Sequence, residues 1–300
     1  MTNKIATRDA YGQALVELGE KNKDIVVLDA DLAKSTKTAM FAAKYPERFF
    51  DMGIAEQNMM ATAAGFAAAG KIPFASSFAM FATGRAFEQI RNSIAYPMLN
   101  VKIAATHAGI TVGEDGGSHQ SIEDIAIMRA IPGMTILVPA DGVQAKSMIE
   151  QAVNYKGPVY IRLGRSGVPV LYDDNYEFSW GKAEIMRAGE EVTIYATGIM
   201  VAEALRAADE LEAKGVSAAV VNVASIKPLD VEGIVAASKN KKAVITVEEH
   251  SIIGGLGSAV AEALMEHNPL PLKRIGIMDT FGESGNPNEL LEKYGLTPNH

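Results

Sequence analysis

Two consecutive open α/β domains are expected from the sequence, on three observations. Short apolar runs rich in Val and Ile alternate with longer helix-period segments, the pattern of βαβ units around a parallel sheet. That alternation breaks after Arg165 at Ser166-Gly167-Val168-Pro169-Val170-Leu171-Tyr172-Asp173-Asp174-Asn175, a polar stretch with Gly and Pro that reads as an interdomain connection. A second α/β series follows, and 300 residues exceed what one typical small core holds. The expected division is a first domain over residues 1–170, a connection over 171–190 and a smaller second domain over 191–300.

Taken in order, a helix over Thr7 to Glu20 precedes the apolar run Ile25 to Asp29, short enough for a buried strand. The strand-like stretch near Phe50 turns into a helix packed with Ala and Gly, Ile54 to Gly70. Strands at Pro73 to Ser77 and Val101 to Thr106 flank a helix over Arg85 to Tyr96. Strands at Thr135 to Pro139 and Pro158 to Leu163 flank another over Asp141 to Asn154. In the second series the strands are Glu191 to Ala196, Ser217 to Val223, Ala243 to Glu248 and Leu272 to Met278. Their helices are Val201 to Lys214, Val231 to Ser238 and Gly257 to His267. There is no internal repeat and no low-complexity tract.

A net charge of −8, with both signs mixed along the chain, argues against nucleic acid or an anionic membrane as partner and for proteins and small molecules. The chain has no Cys, which excludes disulfides, thiolate metal sites and a cysteine nucleophile and fits a reducing compartment. Met1-Thr2-Asn3-Lys4 opens no apolar signal core, and no apolar run approaches membrane-spanning length, so a cytoplasmic protein is expected.

Open parallel sheets bind ligands beyond the carboxyl ends of their strands, and five such loops carry polar or aromatic residues. Asp31-Leu32-Ala33-Lys34-Ser35 follows the strand ending at Asp29, and Glu56 follows the run near Phe50. Phe78 and Phe81 follow Ser77, His107 to His119 follow Thr106, and Arg165 follows Leu163. In Phe49-Phe50-Asp51-Met52-Gly53-Ile54-Ala55-Glu56-Gln57-Asn58-Met59, Glu56 sits at the mouth of a small-residue helix. Poor hydration there favours holding or sharing a proton near neutral pH; the competing role is a helix cap favoured by the dipole. By spacing alone Phe78 and Phe81 read as core residues. Between His107 and His119, Gly109, Gly113, Gly116 and Gly117 permit tight turns, while two imidazoles and Asp115 offer donors and an acceptor to a polar ligand. No metal site is expected, because neither His-x-x-x-His nor an acid-histidine ligand set occurs. Arg165 can grip an anion bidentately or serve as a surface ion-pair partner.

The stretch Asp51 to Gly70, the aromatic run Phe74-Ala75-Ser76-Ser77-Phe78-Ala79-Met80-Phe81 and the loop Thr106 to Gln120 together resemble the pyrimidine-binding domain of transketolase and its relatives. The resemblance is dense from about Val26 to Arg165 and thinner to the C-terminus, and a full-length transketolase is about twice this length. It implies the C-terminal half of a split transketolase, a transferase that reversibly moves a two-carbon ketol group from a ketose or ketose phosphate to an aldose or aldose phosphate, as in the pentose phosphate pathway. The implied cofactor is thiamine diphosphate, held by Asp31, Leu32, Phe78 and Phe81 and activated by Glu56 through its aminopyrimidine. Phe81 matches the ring that stacks on the aminopyrimidine and Phe78 a second wall, but the third aromatic of the pattern is here Gly84. By the same resemblance Ser35, His107 and Arg165 lie toward the substrate phosphate. Asp115 receives a hydroxyl near the reaction centre, and His119 contacts the donor's hydroxyl end and takes part in catalysis.

The Gly-Asp-Gly and downstream Asn that hold the diphosphate and its Mg²⁺ in this fold are missing. Gly254-Gly255-Leu256-Gly257 before a helix reads as a tight turn rather than an anion site. An N-terminal transketolase subunit carrying the diphosphate-binding domain and most of the Mg²⁺ ligands is therefore expected as partner, in an α2β2 assembly. Deoxyxylulose-phosphate synthase shares the Glu56 and His119 regions, yet tends to place an arginine at the Phe81 position and is a single long chain. The β subunit of an oxo-acid dehydrogenase E1 has the same plan but no use for a phosphosugar loop. A non-catalytic subunit that kept the fold is the remaining alternative, weighed down by intact Glu56, Phe81, Asp115 and His119.

Overall fold

The computed structural model describes residues 3–300 and is mixed α/β, with two parallel-rich sheets following one another along the chain. In the first sheet six parallel strands run, edge to edge, Thr135–Leu137, Val159–Arg162, Lys102–Thr106, Ile72–Phe78, Ile25–Asp29 and Phe49–Asp51. Ile25–Asp29, Lys102–Thr106 and Val159–Arg162 are buried along their whole length. Both faces are covered by helices, as an all-parallel sheet requires. The second sheet orders Leu272–Ile277, Ala243–Ser251, Val192–Ala196 and Ala218–Asn222 in parallel, with Glu184–Arg187 antiparallel at its edge.

The domains are knitted together rather than strung on a linker. Ser225–Lys227, which leaves the second sheet, pairs antiparallel with Thr135–Leu137 and becomes the seventh strand of the first. One apolar cluster runs across the junction, from Met59, Ile103 and Ile125 to Val221, Ile226 and Leu256. The stretch expected as a plain connection carries structure of its own. Gly167–Pro169 turns back to pair with Lys4–Ala6, and Phe178 is buried against the first domain. Asp141 caps the helix Gly142–Asn154 through the Gln144 amide (2.7 Å) and accepts the amides of Leu171 and Tyr172 with its other oxygen. Polarity read in sequence thus marked a segment whose polar atoms are spent on anchoring it.

The helix expected over Arg85 to Tyr96 starts earlier and is not a regular α-helix. Two wide π-type segments, Met80–Arg85 and Ile90–Ala95, bracket Phe87–Gln89. A Cβ on Gly84 would lie 2.7 Å from the Met80 Cε, so the widened turn is closed with no room for an aromatic there without moving Met80. Among the described residues no helix is long and apolar enough to cross a membrane.

Candidate active site

Because the first sheet's strands are parallel, their carboxyl ends open on one edge, and the five loops singled out in the sequence converge there. Glu56 is the first residue of the helix Glu56–Ala68, is 1% exposed, and makes no capping bond to the helix backbone. Both its oxygens accept from the Arg85 Nη1 at 2.9 Å. The Arg85 guanidinium in turn lies 4.7 Å over the Phe81 ring, so carboxylate, cation and aromatic face form one unit.

Phe81 belongs to a wider aromatic wall. Phe78 is buried and stacks on His107 with ring centroids 3.7 Å apart, and lies 6.1 Å from Phe81 in a parallel arrangement. His119 stands edge-on to Phe81 at 5.2 Å, its Nδ1 bonded to the Ser118 hydroxyl at 3.0 Å. Four residues from two separate sequence motifs therefore meet.

His107 has a φ of 58°, a left-handed conformation that a side-chain-bearing residue rarely adopts, and is 2% exposed. Its Nε2 lies 3.1 Å from Arg8 Nη1, which can only donate, so Nε2 accepts and the proton sits on Nδ1, facing the Thr106 hydroxyl at 2.9 Å. Burial, reinforced by the charges of Arg8, Arg165 and Lys37, drives this imidazole down to about 3. His107 is thus a neutral acceptor, and the positive charge in this corner belongs to its neighbours. Arg8 also donates to the Ser35 carbonyl at 3.0 Å, linking Ser35 and His107, while its buried Nε has no partner among the described residues.

Arg165 does not touch Ser35. Its Nη1 donates to the Val112 carbonyl and lies 3.4 Å from Glu114 and 3.7 Å from Asp115. Asp115 is half-exposed beside it. Asp31 is exposed with φ 62°, its amide donating to Asp51 Oδ1 at 3.1 Å, and the Leu32 amide donates to Asp29 Oδ1 at 2.6 Å. Buried Asp29 also accepts from Thr36 at 2.6 Å and Thr38 at 2.8 Å, which fixes the turn that presents Asp31, Leu32 and Ser35. Desolvation lifts its carboxyl to about 6 against those bonds.

Arg8, Arg85 and Asp29 escaped the sequence reading. Arg8 is 99 residues from His107 in the chain and lies in an ordinary helix start, so no spacing could reveal it. Arg85 fell inside an expected helix. Asp29 closed the best-marked strand of the chain and carried its signal unnoticed, as a carboxylate ending an otherwise apolar run.

The chain matches the family model for the transketolase pyrimidine binding domain over residues 3–170 and that for the transketolase C-terminal domain over 181–300. A Methanocaldococcus jannaschii protein provisionally named a transketolase C-terminal section is 57% identical over 292 residues, 96% of this chain and 92% of that one. A Clostridium protein named 6-deoxy-6-sulfo-D-fructose transketolase subunit is 48% identical, over 97% of this chain and 90% of its own. Among solved structures, a split gene transketolase described as an inactive beta4 tetramer superposes with a TM-score of 0.91 at 57% identity, over 99% of this chain and 95% of that one.

Proposed function

The chain belongs to the transketolase family, and from that premise we propose that it is the C-terminal subunit of a two-subunit enzyme transferring a two-carbon ketol group from a ketose to an aldose. The observation that carries this reading is the Glu56–Arg85–Phe81 unit, a buried carboxylate paired with an arginine that lies over a partly buried aromatic ring at the sheet's carboxyl edge. It fits the aminopyrimidine end of thiamine diphosphate, which when bound supplies a nucleophilic carbon and an electron sink for breaking the bond beside a ketose carbonyl. Glu56 would hold or release the proton at the pyrimidine nitrogen, and Phe81 and Phe78 would orient the ring. The Gly-Asp-Gly and downstream Asn that would serve the other end of that cofactor are missing from the sequence. A partner subunit bearing the diphosphate and Mg²⁺ ligands completes the site in this reading, in an α2β2 assembly.

Substrate contacts follow from the same edge. Arg8 lies against neutral His107, and Lys37, paired with Asp9 at 2.9 Å, and Arg165 are near enough to act on its charge, a corner suited to the phosphate end of a sugar, or to a sulfonate of similar size and charge. The sulfo-sugar name of the Clostridium relative keeps the second anion in view. Asp115 and His119, on the intervening loop, would take the sugar hydroxyls between that corner and the aromatic wall.

Purified alone, the chain should bind thiamine diphosphate weakly in calorimetry and transfer no ketol group. Mixed with a separately purified diphosphate-binding subunit, Glu56→Gln should assemble normally yet slow exchange of the cofactor's thiazolium proton, followed by NMR, by orders of magnitude. Exchange at the wild-type rate would return Glu56 to a structural role, and tight Mg²⁺-dependent cofactor binding by the lone chain would sink the two-subunit reading.

A further inference from the structure

The loop that carries Asp115 and His119 is held from behind by the second domain. Glu249, on the strand Ala243–Ser251 and 4% exposed, directs its Oε1 to the Thr111 amide at 2.6 Å. Gly109 makes this approach possible, with a φ of 81° and no side chain; a Cβ there would fall 2.3 Å from the Glu249 carboxyl carbon. The grip is double. Arg162, paired with Asp124 at 2.7 and 3.1 Å, donates to the carbonyl of Glu249 at 3.0 Å and to that of Ser121, just past the loop, at 3.4 Å. Further along, Gln120 bridges the Ile110 and Gly113 carbonyls to that of Glu283 in the second domain.

We propose that Glu249 is a positioning residue of the ketol-transfer site, acting through the Thr111 amide to fix the loop that presents Asp115 and His119 to the sugar. This rests on the function proposed above. It gives the second domain a part in substrate recognition although none of its residues lies among the proposed substrate contacts. The element held is the segment Ile110–Asp115, a short 3₁₀ stretch broken at Gly113. Such a segment has few internal bonds and depends on outside acceptors for its order.

The test is amide hydrogen exchange, followed by mass spectrometry, on the full chain and three variants. Glu249→Gln keeps an acceptor oxygen at the same reach, Glu249→Asp withdraws it by one methylene, and Glu249→Met fills the volume without an acceptor. Met and Asp should speed exchange in peptides covering Ile110–Asp115 by roughly five- to a hundredfold, the range for losing one buried acceptor, while Gln stays close to wild type. Peptides from Ala243–Ser251 should remain protected. If the Met variant does not fold, the Asp and Gln variants decide. Unchanged loop exchange in Asp, or equal acceleration in Gln and Asp, overturns the proposal. In the two-subunit enzyme, Glu249→Asp should raise KM for the ketose with kcat little altered, and an unchanged KM likewise overturns it. Absence of ketol transfer in the wild-type pair would instead count against the proposed function, since exchange requires neither partner nor substrate.

Discussion

Removing Arg8 should injure the handling of phosphorylated substrates more than removing Arg165, although only Arg165 stood out in the sequence. Arg8 is held by neutral acceptors, the Ser35 carbonyl at 3.0 Å and His107 Nε2 at 3.1 Å, and its buried Nε is left over. Its charge therefore remains available to an incoming anion. A charge-assisted contact contributes about 1.5 to 3 kcal/mol, so Arg8→Met should lower kcat/KM for a phosphorylated ketose by roughly ten- to a hundredfold. Arg165 is committed to the Val112 carbonyl and flanked by Glu114 and Asp115 at 3.4 and 3.7 Å. Drawing it to phosphate means loosening those contacts, and a partly exposed pair of this kind is itself worth about 0 to 1 kcal/mol. Arg165→Met should thus cost clearly less, and Glu114→Gln, which frees the guanidinium, should leave kcat/KM for the phosphorylated ketose unchanged or raise it slightly. The assay is steady-state kinetics of the two-subunit enzyme on a ketose with and without its phosphate, with thermal unfolding as a control for folding. Equal losses on the two substrates, or a larger loss for Arg165→Met than for Arg8→Met, would refute the reasoning.

Two further expectations concern stability. Asp124 is fully buried against Arg162, so Asp124→Asn should cost about 3 to 5 kcal/mol by stranding the guanidinium, visible as a lower urea midpoint, whereas the double replacement Asp124→Leu with Arg162→Met should recover only part of it, because the Tyr160 hydroxyl and the Glu249 and Ser121 carbonyls lose their partners. A recovery no better than the sum of the two single losses would show that the pair is not the cause. Burial raises the Glu249 carboxyl from 4.5 to about 7, so between those values the folded chain keeps a proton that the unfolded chain releases. That contribution to stability is fully present below about 4.5 and is lost as pH rises through about 7. Relative to wild type, Glu249→Gln should therefore become progressively more stable across that window, measured by urea unfolding at stepped pH; a difference that does not change with pH would contradict the assignment.

What the sequence made legible was whatever repeats locally. Val and Ile runs located Ile25–Asp29 to the residue, and the other main strands to within a few residues, because a buried parallel strand needs only its own side chains to be apolar. The loops at the carboxyl edge were likewise readable, since the sheet's geometry fixes where they must meet. Illegible were partners chosen by distance in space. Arg8 meets His107 from 99 residues away in the chain, Arg85 meets Glu56 from the end of a widened helical segment, and Glu249 touches Thr111 from the second domain. The neutrality of His107 was equally hidden, because it depends on burial beneath Phe78 and on cations from three separate segments.

The strand Ser225–Lys227 carries a lesson for anyone who would cut this molecule. Divided between its two family-model regions, the first fragment would expose the flank of Thr135–Leu137, a row of amides and carbonyls ready to recruit another strand. The second fragment would carry a loose segment whose Ile226 is buried in the intact chain. Neither piece should behave as a tidy module; the first should self-associate and the second should tangle. Boundaries legible in sequence and lines of mechanical weakness are different things in this protein, and grafts or chimeras should carry the later segment along with the earlier sheet.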